Sequence, residues 1–379
     1  MAFGLDTGAE SVVSIKVIGV GGGGSNVVNR MVESGVKGVD FIAVNTDKQA
    51  LSGSNATQKI QIGEKLTEGQ GAGSKPDVGR QSAEESRGAL SKVLEDTDMV
   101  FITAGMGGGT GTGAAPIIAD LAKEMDILTV GVVTKPFSFE GRLRMQQAEE
   151  GIENLRSKVD SLVIIPNDRL KYVTEQKITL SNAFAVADDV LRQAVQSISD
   201  LIKETGFINL DFADVSAVMK NAGMAHMGVG RAAGKNKAEE AARLAVSSPL
   251  LETSINGARG VLVNVTGSSG VGLEEVELAA NLVQEAADPN ALIIFGATFD
   301  ETLEDEIVVT VIATGFDESV MNNKSGESVR PAQKSGQSGR DRDRSDRGGR
   351  NDRNDRRAPE PMDDDDPYKE IFKIFNRER

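Results

Sequence analysis

Two glycine-rich runs carry the first chemical information in this chain. Gly19-Val20-Gly21-Gly22-Gly23-Gly24 and Gly105-Met106-Gly107-Gly108-Gly109-Thr110-Gly111-Thr112-Gly113 each follow a β-prone run and precede a helical pattern. A residue without Cβ lets backbone N–H groups approach an anion closely, and a helix N-terminus adds a favourable dipole. The first run fits the Gly-x-Gly-x-x-Gly spacing of dinucleotide-binding turns, and it fits a tight strand-to-helix turn as well. The second holds six glycines in nine residues, more than a short turn needs, and its threonine hydroxyls can add hydrogen bonds to phosphate. Two such loops at the carboxyl ends of strands in one sheet would converge on one phosphate group. There is no Gly-x-x-x-x-Gly-Lys-Ser/Thr stretch, so the P-loop class is excluded.

Asp211 and Asp214 form the acidic constellation, three residues apart and close to Asn209. Carboxylates can position or polarise a water for attack on a phosphate. The same residues can merely cap a helix over Phe212–Met219. Other chemistry is excluded by composition. With no cysteine there is no disulfide framework, thiol nucleophile or Cys-ligated metal. His226 is the only histidine, so a multi-His metal site is impossible; it reads as a structural residue.

The elements that would position these groups alternate. Apolar β-rich runs at Ser14–Val20, Asp40–Asn45, Met99–Ala104, Leu128–Thr134 and Ser161–Pro166 are separated by helical patterns. One such pattern starts near Ser25 or Asn26, another near Ala114. This predicts a mostly parallel sheet covered on both faces. From Ser181 to Glu204 neither glycine nor proline occurs, and Val186, Val190, Leu191, Ala194, Val195, Ile198, Leu201 and Ile202 recur at helical spacing. That predicts one long helix. A second α/β unit follows, with helices at Lys237–Ser247 and Leu273–Ala287 and strands at Gly260–Thr266, Leu292–Phe299 and Glu306–Thr314. The last two strands are expected to form an antiparallel pair.

The net charge is −15, from 42 basic and 57 acidic residues. Residues 317–379 hold 15 of each, so the whole excess lies in residues 1–316, which argues against a nucleic-acid binder. Residues 317–362 are rich in Arg, Asp, Ser, Gly and Asn and are expected to stay disordered. In the last segment Tyr368, Ile371, Phe372 and Phe375 fall on one helical face, which suggests a partner groove. No stretch approaches the ~20 apolar residues of a membrane span, and the first residues lack the pattern of a signal peptide.

Gly105–Gly113 contains Gly-Gly-Gly-Thr-Gly-Thr-Gly, which resembles the signature of the tubulin and FtsZ family. Further segments match bacterial FtsZ in order and spacing: Ile15–Gly24, Asn45-Thr46-Asp47, Gly71-Ala72-Gly73, Pro136–Gly141, Pro166-Asn167-Asp168, Asn209–Val215 and Glu306–Gly315. The resemblance covers about residues 12–316. It implies an α/β fold: a Rossmann-like parallel-sheet GTP-binding domain (14–180) after a leader (1–13), a central helix (181–204), an acidic loop with its following helix (205–222), and a smaller α/β domain (223–316). A disordered linker (317–362) and a partner-binding peptide (363–379) complete the plan.

The resemblance also implies GTP or GDP with Mg²⁺, the metal held mainly through phosphates and water. By family position Gly22, Gly23, Gly24, Ser25 and Asn26 line the phosphate and base side, and Gly73, Gly109, Thr110 and Gly111 hold the phosphates. Thr134, Glu140 and Arg144 are similar to ribose-side contacts, and Asn167, Phe184 and Asp188 to guanine-side ones. A carboxylate at Asp188 can accept from guanine N1–H and N2–H₂. Phe184 can stack on the base, although a core position is the commoner role for phenylalanine. Asn209, Asp211 and Asp214 are the implied catalytic set. They would act on the nucleotide of another subunit in a head-to-tail homopolymer, a cytoplasmic filament at the mid-cell division ring. The terminal peptide would recruit membrane-anchoring and regulatory division proteins, although Pro367–Phe375 departs from the usual family ending. A nicotinamide oxidoreductase built on the first glycine run, with Asp47 on the ribose, is the competing reading. A non-enzymatic scaffold with nucleotide as a structural clasp is the third.

Overall fold

Aliphatic runs bounded by glycine become the strands of a sheet that continues through both halves of the chain. The computed structural model describes residues 13–172, 178–179, 182–203, 211–248 and 255–316. β1 (Ile15–Val20), β2 (Asp40–Asn45), β3 (Gln58–Gln61), β4 (Met99–Gly105), β5 (Leu128–Lys135) and β6 (Ser161–Pro166) are parallel, in the order β3-β2-β1-β4-β5-β6. Side chains alternate between the faces, so Val17, Phe101 and Val132 pack one way while Ile18, Ile102 and Val133 pack the other. The first face is covered by α1 (Gly21–Glu33) and, through Leu191, Ala194 and Ile198, by the long α-helix Ala183–Lys203. Between them in sequence come α2 (Lys48–Ser52), α3 (Glu64–Thr67), α4 (Pro76–Glu85), α5 (Arg87–Leu94), α6 (Thr110–Glu124) and α7 (Arg142–Arg156), which makes Ala183–Lys203 α8. Residues of α4, α5, α6 and α7 cover the opposite face.

Both glycine-run helices begin earlier than the sequence suggests. α1 starts at Gly21 rather than Ser25 or Asn26, and α6 at Thr110 rather than near Ala114. Intrinsic propensity penalises glycine in a helix, but here close approach decides. A Cβ on Gly24 would collide with the Thr103 carbonyl, and one on Gly113 with the Pro76 carbonyl of α4.

α9 (Phe212–Met219) leads into β7 (Gly223–Ala233), followed by α10 (Lys237–Val246), β8 (Gly260–Gly267), α11 (Leu273–Ala286), β9 (Leu292–Phe299) and β10 (Glu306–Thr314). β7 runs parallel to β6, with Ser161 opposite Gly223 and Val163 opposite Ala225, and antiparallel to β10. It therefore joins the two halves into one sheet. The sequence pattern does not reveal β7 because Gly228 and Gly230 interrupt it; both face α10, where any side chain would strike the Ala245 and Ala241 carbonyls. The expected antiparallel pairing of β9 with β10 is not formed. β10 inserts between β7 and β8, antiparallel to both, and β9 lies outside, parallel to β8. Among the described residues no helix is long and apolar enough to cross a membrane.

Candidate functional site

The carboxyl ends of β1, β4, β5 and β6 deliver four loops to one edge of the sheet. The first N–H groups of a helix have no acceptor inside it, and α1 and α6 both begin here. Their starting turns lie side by side: a Cβ on Gly21 would sit 2.9 Å from the Gly111 nitrogen, and one on Gly23 3.2 Å from the Gly105 nitrogen. Gly21 itself needs the left-handed region, with φ of 72°.

The glycines divide into two sets. At Gly24, Gly109 and Gly113 neighbouring backbone or side chains leave no room for a Cβ, and at Gly111 the fit would be tight. Gly22 and Gly108 meet nothing within 4 Å and do not have the positive φ that favours glycine. Nothing among the described residues forbids a side chain there, so the space they leave suits a ligand. Gly73 also faces open space, at φ of 57°. Gly108 was not among the residues expected from the sequence, because the run alone does not tell a packing glycine from a facing one. The two threonines separate likewise. Thr112 Oγ1 accepts from Gly107 N at 2.8 Å and closes the loop, whereas Thr110 Oγ1 pairs with Thr46 Oγ1.

On the other side of α1 lie the groups expected to meet the base. Asn26 is exposed, Ser25 is buried, and the Ser25 Oγ and Asn167 Oδ1 atoms are buried without a hydrogen-bond partner among the described residues. Orphaned buried polar atoms are uncommon and call for a missing partner. Phe184 is not a core residue: it is 47% exposed and meets the Phe137 ring edge-on at 5.5 Å. A face of it is thus available for stacking. Thr134 is buried, and its carbonyl accepts from Met106 N at 3.0 Å. Glu140 holds its own loop through Phe137 N at 2.8 Å and pairs with Arg144 Nε at 3.1 Å.

Asp188 accepts from Arg30 Nε at 3.3 Å, an arginine that sequence reasoning missed because α1 and α8 are far apart in the chain. Burial pushes the Asp188 carboxyl above the ordinary aspartate range, and the Arg30 guanidinium opposes the shift. An acid with a raised folded-state pKa contributes stability that is present at low pH and lost as pH rises through that value. Asp188→Asn is therefore expected to raise the melting temperature of the nucleotide-free protein more at pH 7 than at pH 4. Thermal denaturation at the two pH values checks this, and equal shifts would contradict it.

The acidic pair lies elsewhere. Asp214 N donates to Asp211 Oδ1 at 2.8 Å and Asp211 N to Asp214 Oδ2 at 3.3 Å, a capping box at the start of α9. The far end of α9 is tied to the amino ends of β5 and β6: Ser161 Oγ donates to Met219 O at 2.6 Å, and Lys220 pairs with Asp126 at 3.0 Å. From Asp188, α8 travels about 22 Å to Lys203, and α9 is the next described helix. The structure thus does not bring Asp211 and Asp214 to the glycine loops of the same chain. Asn209 lies outside the described residues, as do the linker and the terminal peptide. Asp47, the ribose ligand of the oxidoreductase reading, caps α2 instead, its Oδ1 accepting from Gln49 N and Ala50 N.

Residues 14–175 match the model of the tubulin/FtsZ family GTPase domain, and residues 223–317 that of the FtsZ family C-terminal domain. Among solved structures, an FtsZ dimer from M. jannaschii is 46% identical, with a TM-score of 0.77 over 80% of this chain and 88% of that one. A variant of FtsZ from M. jannaschii gives the same identity and TM-score over 91% of its length. The CetZ2 protofilament from Haloferax volcanii, with GTPγS bound, shares the fold at 20% identity, with a TM-score of 0.68 over 82% of this chain and 96% of that one. Two glycine loops on adjoining helix starts and matches that span both halves agree: the chain belongs to the tubulin/FtsZ family and is a guanine-nucleotide-binding GTPase.

Proposed function

We propose that this chain is a cell-division GTPase of the FtsZ type, polymerising head to tail into the filaments of a bacterial division ring. One observation carries the reading: the acidic pair opens α9, a helix tied to the amino ends of β5 and β6, whereas the glycine loops lie at the carboxyl ends of β1 and β4. A surface that carries half a site at each end completes itself by stacking, and a heterologous contact that does not close gives an open filament. The M. jannaschii relative described as a dimer supports self-association.

In this reading the backbone of Gly22, Gly23, Gly24, Gly73, Gly109 and Gly111 and the Thr110 hydroxyl hold the phosphates. Thr134, Glu140 and Arg144 bound the ribose. Ser25, Asn26, Asn167, Phe184 and Asp188 receive the guanine. Asp211 and Asp214, with Asn209, orient the attacking water on the nucleotide of the neighbouring subunit. Mg²⁺, held by phosphate and water, would neutralise charge on the leaving phosphates. Residues 363–379 recruit membrane-anchoring and regulatory division proteins at mid-cell, with 317–362 as spacer.

Phosphate release from GTP with Mg²⁺, measured across a protein concentration series alongside light scattering, tests the split site. Specific activity is expected near zero below a threshold concentration and to rise with scattering above it. Constant activity per molecule down to high dilution would mean a self-contained site.

A further inference from the structure

The turn after β2 and the second glycine loop are joined by a hydrogen bond between two buried hydroxyls. Thr46 Oγ1 and Thr110 Oγ1 lie 2.7 Å apart, and Thr46 is fully buried at the end of β2. The Thr46 backbone carbonyl accepts from Thr67 Oγ1 at 3.2 Å and from Gly71 N at 3.3 Å. Lys48 N donates to Gly69 O at 3.0 Å, and Asp47 and Gln70 form a bridge across the same turn. One residue thus holds the Gly69–Gly73 loop by its backbone and Thr110 by its side chain.

A hydroxyl has one proton and two acceptor sites. In a buried pair one hydroxyl donates to the other, and the direction has consequences. If Thr110 donates to Thr46, its proton is spent inside the protein. If Thr46 donates to Thr110, the Thr110 proton is free to point into the space that Gly108 and Gly22 leave open. A phosphate oxygen at neutral pH is an acceptor, so a phosphate beside Thr110 selects the second direction. Hydrogen bonds in series polarise one another, which makes Thr110 a better donor when Thr46 stands behind it.

We propose that Thr46 is a positioning residue for the terminal phosphate: it donates to Thr110, so that Thr110 donates to a phosphate oxygen that GTP has and GDP lacks. With GDP the Thr110 hydroxyl loses that acceptor, while Thr46 still donates to it. Thr46 therefore sets the preference for triphosphate over diphosphate and couples it to the Gly71–Gly73 loop. The inference rests on the proposed contact between Thr110 and phosphate.

The test compares affinities for GDP and for a slowly hydrolysed GTP analogue in Thr46→Val, Thr46→Ser and Thr110→Val, with kcat and KM for GTP and the melting temperature of each nucleotide-free protein. Thr46→Val removes the hydroxyl and keeps the shape. It is expected to lower the analogue-to-GDP affinity ratio about two- to fourfold, chiefly through the analogue, while Thr46→Ser restores the ratio. Thr110→Val is expected to lower it at least as far. An unchanged or higher ratio in Thr46→Val, with a lowered ratio in Thr110→Val, would overturn the role of Thr46 alone. An unchanged ratio in Thr110→Val would overturn the phosphate contact of Thr110 and the inference with it. If Thr46→Val does not fold, Thr46→Ala is judged by the same ratio.

Discussion

Asp214→Ala is expected to bind GTP with the affinity of the parent chain and to release phosphate about 10²- to 10⁴-fold more slowly, the range removed with a group that positions or activates water. Unchanged binding follows from placement: Asp214 belongs to α9, which is anchored at the amino ends of β5 and β6, away from the glycine loops. The substitution also opens the capping box, because Asp211 N loses its acceptor. A lost cap costs about 0.5–2 kcal/mol of stability, which shifts a melting temperature but does not slow chemistry a thousandfold. Asp214→Asn separates the two effects. The amide oxygen still accepts from Asp211 N, so the cap survives, while the negative charge is gone. If the charge orients water, Asp214→Asn is as slow as Asp214→Ala but melts like the parent chain. Mixing provides a sharper readout. A variant that cannot hold nucleotide, such as Gly108→Leu, still presents a sound acidic loop. Combined with Asp214→Ala in equal amounts, about a quarter of random head-to-tail junctions pair a sound glycine site with a sound acidic pair. Phosphate release should return to that order from two nearly inactive preparations. A mixture as inactive as its parts, or a normal rate for Asp214→Ala alone, would remove the split site.

The glycine loops were legible because their pattern is local: strand, glycine run and helix follow one another directly in the chain. The same local logic gave β1, β2, β4, β5 and β6 and the extent of α8 nearly residue by residue. It failed where the deciding contact comes from a distant part of the chain. β3, with the sequence Gln58-Lys59-Ile60-Gln61, is an edge strand whose outward positions carry polar side chains, and four residues give no period to read. β7 hides behind glycines that exist for the sake of α10. β10 inserts between β7 and β8, a choice that no pattern within β9 or β10 encodes. The same holds in the site: Arg30 beside Asp188, Thr46 beside Thr110 and Gly108 facing open space are pairings across 158 and 64 residues, or an absence of neighbours, and none leaves a mark at its own position. The capping role of Asp211 was legible, and the geometry shows it directly. It does not compete with a role in hydrolysis, because a capping box fixes both carboxylates at the start of α9 and leaves Asp211 exposed.

Glycine substitutions at two kinds of position are expected to fail in opposite ways. Gly22→Leu and Gly108→Leu should fold and lose nucleotide; Gly113→Ala should lose stability. At Gly22 and Gly108 an added Cβ meets no other described part of the chain within 4 Å beyond its own local backbone. Gly22 also occupies the first turn of α1, where replacing glycine removes a backbone-entropy cost of about 0.5–1 kcal/mol. The nucleotide-free variant should therefore melt at or slightly above the parent temperature. A leucine there fills the space into which the free N–H groups of α1 and α6 point. Hydrogen bonds to a charged group contribute about 1.5–3 kcal/mol each, so displacing two of them weakens binding by a hundredfold or more. At Gly113 even one methyl group would overlap the Pro76 carbonyl and crowd Arg80 N. Both obstacles are backbone, so α4 and α6 must separate along the length of their contact. Overpacking of this kind costs about 1–3 kcal/mol, and any nucleotide affinity lost follows from that displacement. Thermal denaturation of nucleotide-free protein and GDP titration by calorimetry, run on all three variants, read the two axes independently. Parent-like GDP affinity in both leucine variants would show that the open space is not the phosphate cradle. The glycines that face it would then need a different explanation from those that pack.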